Sequence, residues 1–311
     1  MNNTGLPIIV ALLASTLRLA TPLIFAALGG LFSEKSGVVN IGLEGMLTIG
    51  AFFAVYGSFK TNNPWIGIIF AVISGAAIAA VHAFLSIHLK ADQTISGVAI
   101  NIFAAAITSY LLMVLFNRQG QTDGVTPLYY PKEAMQSIPV IGKFLGELNW
   151  YVFIAIALVI VTNYIFYKTP LGLRIRAVGE HPKAADTLGI GVYGIRYLCV
   201  ILSGALAGLG GASLSLSNTN LFREGMVSGK GFIAIAAMIF GNYKPFGALW
   251  ACLIFALADA FQIVAQGLGW PFPTEFYSAI PFIITMIVLS GFVGKTVPPA
   301  ADGIPYEKGE K

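Results

Sequence analysis

Asn40, Glu44 and Thr48 follow one another at intervals of four, and Asp259, Gln262 and Gln266 at intervals of three and four, all inside long apolar runs. On a helix each set shares one face, as do Asn101 and Thr108. An acidic or basic side chain at the centre of a membrane helix costs about 2.5–3.5 kcal/mol, against about 0.3–0.6 kcal/mol gained per large apolar residue. A span of about 20 apolar residues can carry one such group, but the group faces the bundle interior, a partner or water, and rarely lipid. Two kinds of chemistry are open to these stripes. One is a polar path for a small hydrophilic solute, with Asn40, Glu44, Asn101, Asp259 and Gln262 as its lining. The other is helix glue, made of interhelical hydrogen bonds or an internal ion pair, for which Arg18 in the first apolar run could serve Glu44.

Other chemistry finds no constellation. No G-x-x-x-x-G-K-[ST] phosphate loop occurs, and the only Gly-Lys-Thr, at Gly294–Thr296, lacks the upstream glycine, so the chain is not expected to be an ATPase by that route. His82, His88 and His181 are scattered and Cys199 and Cys252 lie far apart in apolar stretches, so no metal site is expected and the cysteines read as packed thiols. No G-x-S-x-G elbow marks a serine enzyme.

The elements that must position these residues follow from composition. Of the 311 residues 57% are hydrophobic and only 10% charged, with a mean hydropathy of +0.80. Soluble domains carry about 25% charged residues, so this chain needs lipid as its solvent. Its 35 glycines suit helices that approach closely. Apolar stretches predict nine spans: Leu6–Leu31, Gly37–Phe59, Trp65–Leu89, Ser96–Phe116, Tyr151–Tyr167, Tyr197–Leu216, Gly231–Phe240, Ala248–Leu268 and Phe276–Phe292. The seventh covers roughly 15–20 Å, too little for a hydrocarbon core of about 30 Å, and broken helices of this kind often line a substrate path. The N-terminus has no basic residue before its apolar run, which goes on past signal-peptide length, so the first span reads as a retained helix. With the C-terminus inside, the inner loops hold Lys35, Lys90, Lys168, Arg174, Arg176, Lys183, Arg196, Lys244, Lys295, Lys308 and Lys311, and the outer loops Lys60, Arg118, Lys132, Lys143, Arg223 and Lys230. That bias predicts N-outside and C-inside.

Two loops are long. Residues Asn117–Trp150 are expected outside and Lys168–Ile195 inside. In the inner loop Pro170 and Gly172 mark the start, Pro182 suits the first turn of a short helix over Lys183–Leu188, and Gly189 and Gly191 end it. Such a helix could dock into a partner's groove or simply be solvated. No linker divides the chain, so residues 1–311 read as one transmembrane domain.

The run SGVVNIGLEGMLTIGAF (Ser36–Phe52) resembles the signature early segment of permeases in the branched-chain amino acid and simple-sugar importer group. DQTISGVAIN (Asp92–Asn101) resembles the nucleoside-type, guanosine-like branch of that group, and LGLRIRAVGEHPKAADTLGI (Leu171–Ile190) its cytoplasmic coupling loop. Ser228–Phe261 fits as well, so the resemblance spans nearly the whole chain. It implies an all-α, polytopic type II ABC importer permease, related to vitamin B12 and ribose permeases but without the additional first span of the latter. It implies a second permease subunit, often a longer paralogue, two cytoplasmic ATPase subunits that use the ATP, an external substrate-binding lipoprotein, and transport by alternating access, with no cofactor on this chain. Gly179, Glu180, His181, Pro182, Lys183 and Ala184 would transmit ATPase closure. Asn218–Ser228 corresponds to a gate, with Arg223 and Glu224 as its polar candidates.

The cargo expected is a nucleoside, with a ribose-like sugar or a branched-chain amino acid as the alternative. An ion-driven secondary transporter remains open through Glu44 and Asp259. An intramembrane enzyme would need a paired catalytic set that the sequence does not assemble.

Overall fold

The computed structural model describes residues 5–138, 141–267 and 296–308, with isolated positions between 273 and 287. Among the described residues it is helical, and its one β-bridge joins Gln121 to Arg223. Within the continuously described residues twelve helices follow in order: α1 (Gly5–Lys35), α2 (Leu43–Thr61), α3 (Pro64–Ala83, prolonged by a π turn over Phe84–His88), α4 (Gln93–Phe116), α5 (Lys132–Gln136), α6 (Gly142–Gly146), α7 (Trp150–Lys168), α8 (Pro170–Glu180), α9 (Pro182–Thr187), α10 (Val192–Ser213, prolonged by a π turn over Leu214–Thr219), α11 (Lys230–Phe240) and α12 (Pro245–Gly267).

Six of these, α1, α3, α4, α7, α10 and α12, are long and apolar enough to cross a membrane. Two expected spans depart from the pattern. The second becomes α2, which carries Glu44 and Lys60 and is the central helix, packed against α1, α3, α4, α10 and α11. A helix enclosed by protein on all sides need not be as apolar as one that meets lipid. The seventh becomes α11, whose 11 residues span only about 16 Å at 1.5 Å per residue. The ninth expected span, Phe276–Phe292, lies almost wholly outside the described residues.

Close approach of α2, α3 and α10 is set by small residues. Gly204 and Gly208 on α10 face Ala71, Gly75 and Ala79 on α3, and Gly208 also meets Gly50 on α2. A β-carbon on Gly75 would lie 2.2 Å from the carbonyl oxygen of Gly204, and one on Gly208 2.2 Å from that of Ala71. Backbone-to-backbone contact of this kind is how membrane helices gain dispersion energy where lipid supplies no hydrophobic drive.

The loops sort onto two faces. On one, the long 117–149 connection is tied to the 220–226 segment, because Thr122 N–H donates to Phe222 O (2.9 Å), Val125 N–H to Asn220 O (2.7 Å) and Glu224 N–H to Gly120 O (2.8 Å). On the other, the 296–308 tail binds the end of α8 and the start of α10: Ala301 N–H donates to Gly179 O (2.9 Å), Arg196 Nη1 to Ile304 O (3.0 Å), and Tyr193 OH to Tyr306 O (3.3 Å). A Lys90–Glu307 ion pair (2.6 Å) adds the α3–α4 connection to that face. These two groups of loops are the ones that the charge pattern separates, except for Lys230, which opens α11 beside Glu44 of the central helix.

Candidate functional site

The chain between α1 and α2 is not helical. Residues 36–42 run as turn and extended backbone through the interior, so Asn40 does not share a helix face with Glu44 and Thr48 as the spacing suggests. Non-helical backbone at membrane depth must find its hydrogen bonds in the protein, and here the surrounding side chains supply them. Val39 N–H donates to Gln93 Oε1 (2.7 Å) and Val39 O accepts from His82 Nε2 (3.0 Å). Val38 O accepts from Ser33 Oγ (2.6 Å) and Ile41 O from Asn101 Nδ2 (3.0 Å). With Val39 O as its acceptor, His82 is protonated on Nε2, and its Nδ1 then accepts from Ser96 Oγ (2.9 Å).

The start of α2 is held the same way. Four N–H groups at a helix N-terminus lack partners within the helix. Gly42 N–H donates to Asn40 Oδ1 (3.1 Å) and Gly45 N–H to Asn101 Oδ1 (2.7 Å), while Asn40 Nδ2 reaches Ser203 Oγ on α10 (2.9 Å). Asn40 is fully buried. Its amide holds Gly42 and Ser203 together. Asn101 stays partly exposed, but both ends of its amide are committed to backbone, Gly45 of α2 and Ile41 just before it.

Glu44 resolves in favour of neither an Arg18 ion pair nor a free carboxylate. Its Oε1 accepts the N–H of Gly229 (2.7 Å) and its Oε2 that of Gly231 (2.6 Å), so it caps α11 from a neighbouring helix. The positive end of the helix dipole favours a carboxylate there. Gly231 is required by proximity, since a β-carbon would fall 2.4 Å from Glu44 N. Arg18 instead bonds Ser15 Oγ (3.3 Å). Lys230 is the cation that acts on Glu44 and on Asp259 of α12, and Glu44, Lys230, Asp259 and Gln262 are all partly exposed. The structure thus gathers Asn40, Glu44 and Asn101 around the start of α2. The sequence reading missed His82, Gln93 and Ser203. A histidine inside an apolar span was the available signal for the first.

Arg223 and Glu224, the expected gate residues, are both exposed and lie where the 220–226 segment pairs with the 120–125 strand of loop.

The 168–195 connection holds two helices, α8 and α9, where one short helix is expected. Pro170 and Gly172 do not merely start a loop: Thr169 caps α8 by accepting from Gly172 N–H (3.2 Å), with Pro170 in the first turn. The Thr-Pro pair was the signal. His181 is extended and joins α8 to α9. Gly179 is buried against α1, where a β-carbon would meet Lys35 O at 2.2 Å, and Glu180 Oε2 accepts from Ala300 N–H (3.2 Å). His181, Lys183, Ala184 and Leu188 are exposed, Leu188 at 81%, and Pro182 is partly so. One rigid unit therefore has an inner edge fixed to α1 and the tail and an outer edge left open.

Crossing helices, interior backbone satisfied by side chains, and an open helical corner on one face define a multi-pass membrane transport component. The chain belongs to the family of branched-chain amino acid transport system permease components, which matches residues 12–289. It is 41% identical to the Bacillus subtilis guanosine ABC transporter permease protein NupQ, over 98% of both chains. It is likewise 41% identical to the Lactococcus lactis nucleoside ABC transporter permease protein NupC, over 96% of both. A Haloferax volcanii chain ascribed to glucose ABC transport, TsgC13, is 38% identical over 83% of this chain and 78% of its own. Among solved structures, a transporter assigned to the metal-chelate ABC type, in an inward-facing conformation, matches 92% of this chain and 86% of its own with a TM-score of 0.50 at 15% identity, a likeness of fold alone.

Proposed function

We propose that this chain is the permease subunit of an ATP-driven importer that carries nucleosides inward by alternating access. The observation that carries the reading is the near end-to-end identity to two permeases named for guanosine and nucleoside transport. The chain lacks a phosphate loop, so ATP would be used by separate cytoplasmic ATPase subunits, and this subunit needs no cofactor of its own. A second permease subunit would complete the path, and an external lipoprotein would deliver the solute. The face bearing α8, α9 and the tail would be cytoplasmic, as its surplus of lysine and arginine favours. The exposed edge from His181 to Leu188 would meet the ATPase, and Gly179 and Glu180 would pass its movement to α1 and the tail. Glu44, Lys230, Asp259 and Gln262 would border the path near the start of α11, and Arg223 with Glu224 the gate above it. A sugar cargo is the second reading, favoured by the 38% identity to the glucose-ascribed chain.

The test is uptake of labelled guanosine, adenosine and uridine in cells with and without the gene, with ribose, glucose and leucine as controls. Loss confined to nucleosides supports the proposal. Loss confined to a sugar or to leucine moves the cargo.

A further inference from the structure

Arg18 is the charged residue that the transport reading leaves unused, and its surroundings form a site. A cavity of about 370 Å³ lies between α1, α7, the 117–149 connection and the π turn after α10. Arg18 lines it with Tyr151, Asn220, Asn149, Trp150 and Tyr129. Two buried atoms on this wall, Tyr151 Oη and Asn220 Oδ1, have no hydrogen-bond partner. A guanidinium carries five donors, and of these one is engaged, by Ser15 Oγ. An unpartnered buried polar group costs about 1–3 kcal/mol. Two on one wall, beside the partly exposed guanidinium of Arg18, point to an occupant with both donors and acceptors.

The rest of the wall is aromatic and already fixed. Trp150 Nε1–H donates to Tyr129 O (3.0 Å), Tyr130 OH donates to Leu145 O (2.7 Å), and the Tyr130 and Trp150 rings meet edge to face at 5.6 Å and 80°. At roughly 30 Å³ per water, the volume would hold about a dozen waters or one small solute. It falls within the roughly 300–1,000 Å³ of ligand pockets, which are lined by aromatic groups with a few convergent polar ones.

We propose that this cavity is an entrance site for a nucleoside with a 6-oxopurine base, on the face that first meets the delivered solute; the proposal rests on the nucleoside reading above. The flat base stacks on the fixed rings. Arginine pairs with the O6 and N7 acceptors of guanine in the bidentate manner that makes this the commonest specific contact to that base. Asn220 Oδ1 accepts from the N1–H and N2–H edge, and Tyr151 is left for the sugar. Adenine puts an amino group where Arg18 needs an acceptor, so it binds more weakly. None of Asn40, Glu44, Asn101, Lys230 and Asp259 lines the cavity.

The experiment titrates guanosine, inosine, adenosine and ribose into the intact transporter in lipid nanodiscs, following tryptophan fluorescence. Trp150→Phe assigns the signal among the four tryptophans. Tyr151→Phe removes only the hydroxyl. Asn220→Gly keeps the left-handed backbone that Asn220 holds at φ 55°. Guanosine and inosine are expected to bind at least about tenfold more tightly than adenosine. Each substitution is expected to weaken guanosine about tenfold, the equivalent of about 1.4 kcal/mol, without lowering the ligand-free melting temperature. Unchanged guanosine affinity in both variants, or no binding at all, in a transporter whose cells still take up guanosine would overturn the site and leave the importer reading standing. Cells that take up no nucleoside through this gene would overturn both.

Discussion

Glu44 Oε2 on α2 lies 2.6 Å from the N–H of Gly231 on α11, and its second oxygen takes the N–H of Gly229. One side chain of the central helix thus sets where the short helix begins. Charge-assisted bonds of this kind are about twice as strong as neutral ones. Glu44→Gln keeps one acceptor but turns an amide N–H₂ toward the other backbone N–H, and is expected to cost about 1–3 kcal/mol. The readout is the melting temperature of the purified protein. Arg18→Gln should not rescue it: the two changes share no partner, so their effects should add within about 0.3–0.5 kcal/mol. Rescue by the double variant would restore the ion pair that the charges alone suggest.

A second prediction concerns the contact of α3 with α10. Gly208→Ala places a methyl 2.2 Å from Ala71 O, and that atom is backbone, so the helices must move apart. Overpacking of this kind costs about 1–3 kcal/mol. Gly194, near the start of the same helix, has nothing within 4 Å of an added β-carbon. Gly194→Ala should leave the melting temperature unchanged or raise it by a few degrees, as expected from the helix propensity of alanine over glycine. Equal behaviour of the two variants would remove the close-packing argument.

The positions of the long apolar helices could be read from the sequence because lipid imposes a length and a composition on each, and the ends of α4, α7 and α12 fall within a few residues of the expected ones. The roles of the polar residues could not. Asn40, Glu44 and Asn101 bond chiefly to backbone at the starts of α2 and α11 and in the 36–42 segment, contacts between distant parts of the chain that no periodicity signals. The stretch from Ser36 to Gly42 looked like the beginning of a helix because it is apolar. It stays non-helical, with His82, Gln93 and Asn101, each distant in sequence, bonding its backbone and Ser203 bonding the Asn40 side chain.

The tail carries a pH-dependent attachment. Asp302 lies close enough to Glu34 at the end of α1 for the two carboxyl groups to disfavour being charged together. Burial pushes Asp302 up to about 7 from an ordinary 3.8, although the N–H of Gly303 and the charges of Arg196 and Lys35 pull it down. A folded-state value above the unfolded one means that the stabilisation is complete below the ordinary value and is lost as pH rises through about 7. Amide exchange at Ala301, whose N–H is bound to Gly179 O, should therefore quicken between about pH 5 and pH 8 beyond the intrinsic increase. Asp302→Asn should flatten that excess. A flat excess in the unaltered protein would contradict the assignment.

The outer edge of α9 separates coupling from folding. Substitutions at Gly179 or Glu180 disturb the inner contacts with Lys35 and Ala300, so a loss of transport there would not distinguish the two. Leu188 has no such ambiguity: it is 81% exposed and just past the end of α9, while Ala185, one turn earlier, is buried. Leu188→Asp should leave the melting temperature of the isolated chain within about 0.5 kcal/mol of unchanged, as for surface changes in general. In the assembled transporter it should reduce the ATPase that copurifies and abolish solute-stimulated hydrolysis, because a charge now occupies a desolvated contact. Lys183→Ala, on the same edge, should give a weaker loss that shrinks at high salt, since a rim charge acts mainly through screened electrostatics. Full stimulated hydrolysis in Leu188→Asp would place the ATPase contact elsewhere on this face, with the exposed part of α8, including Leu173, as the next surface to alter.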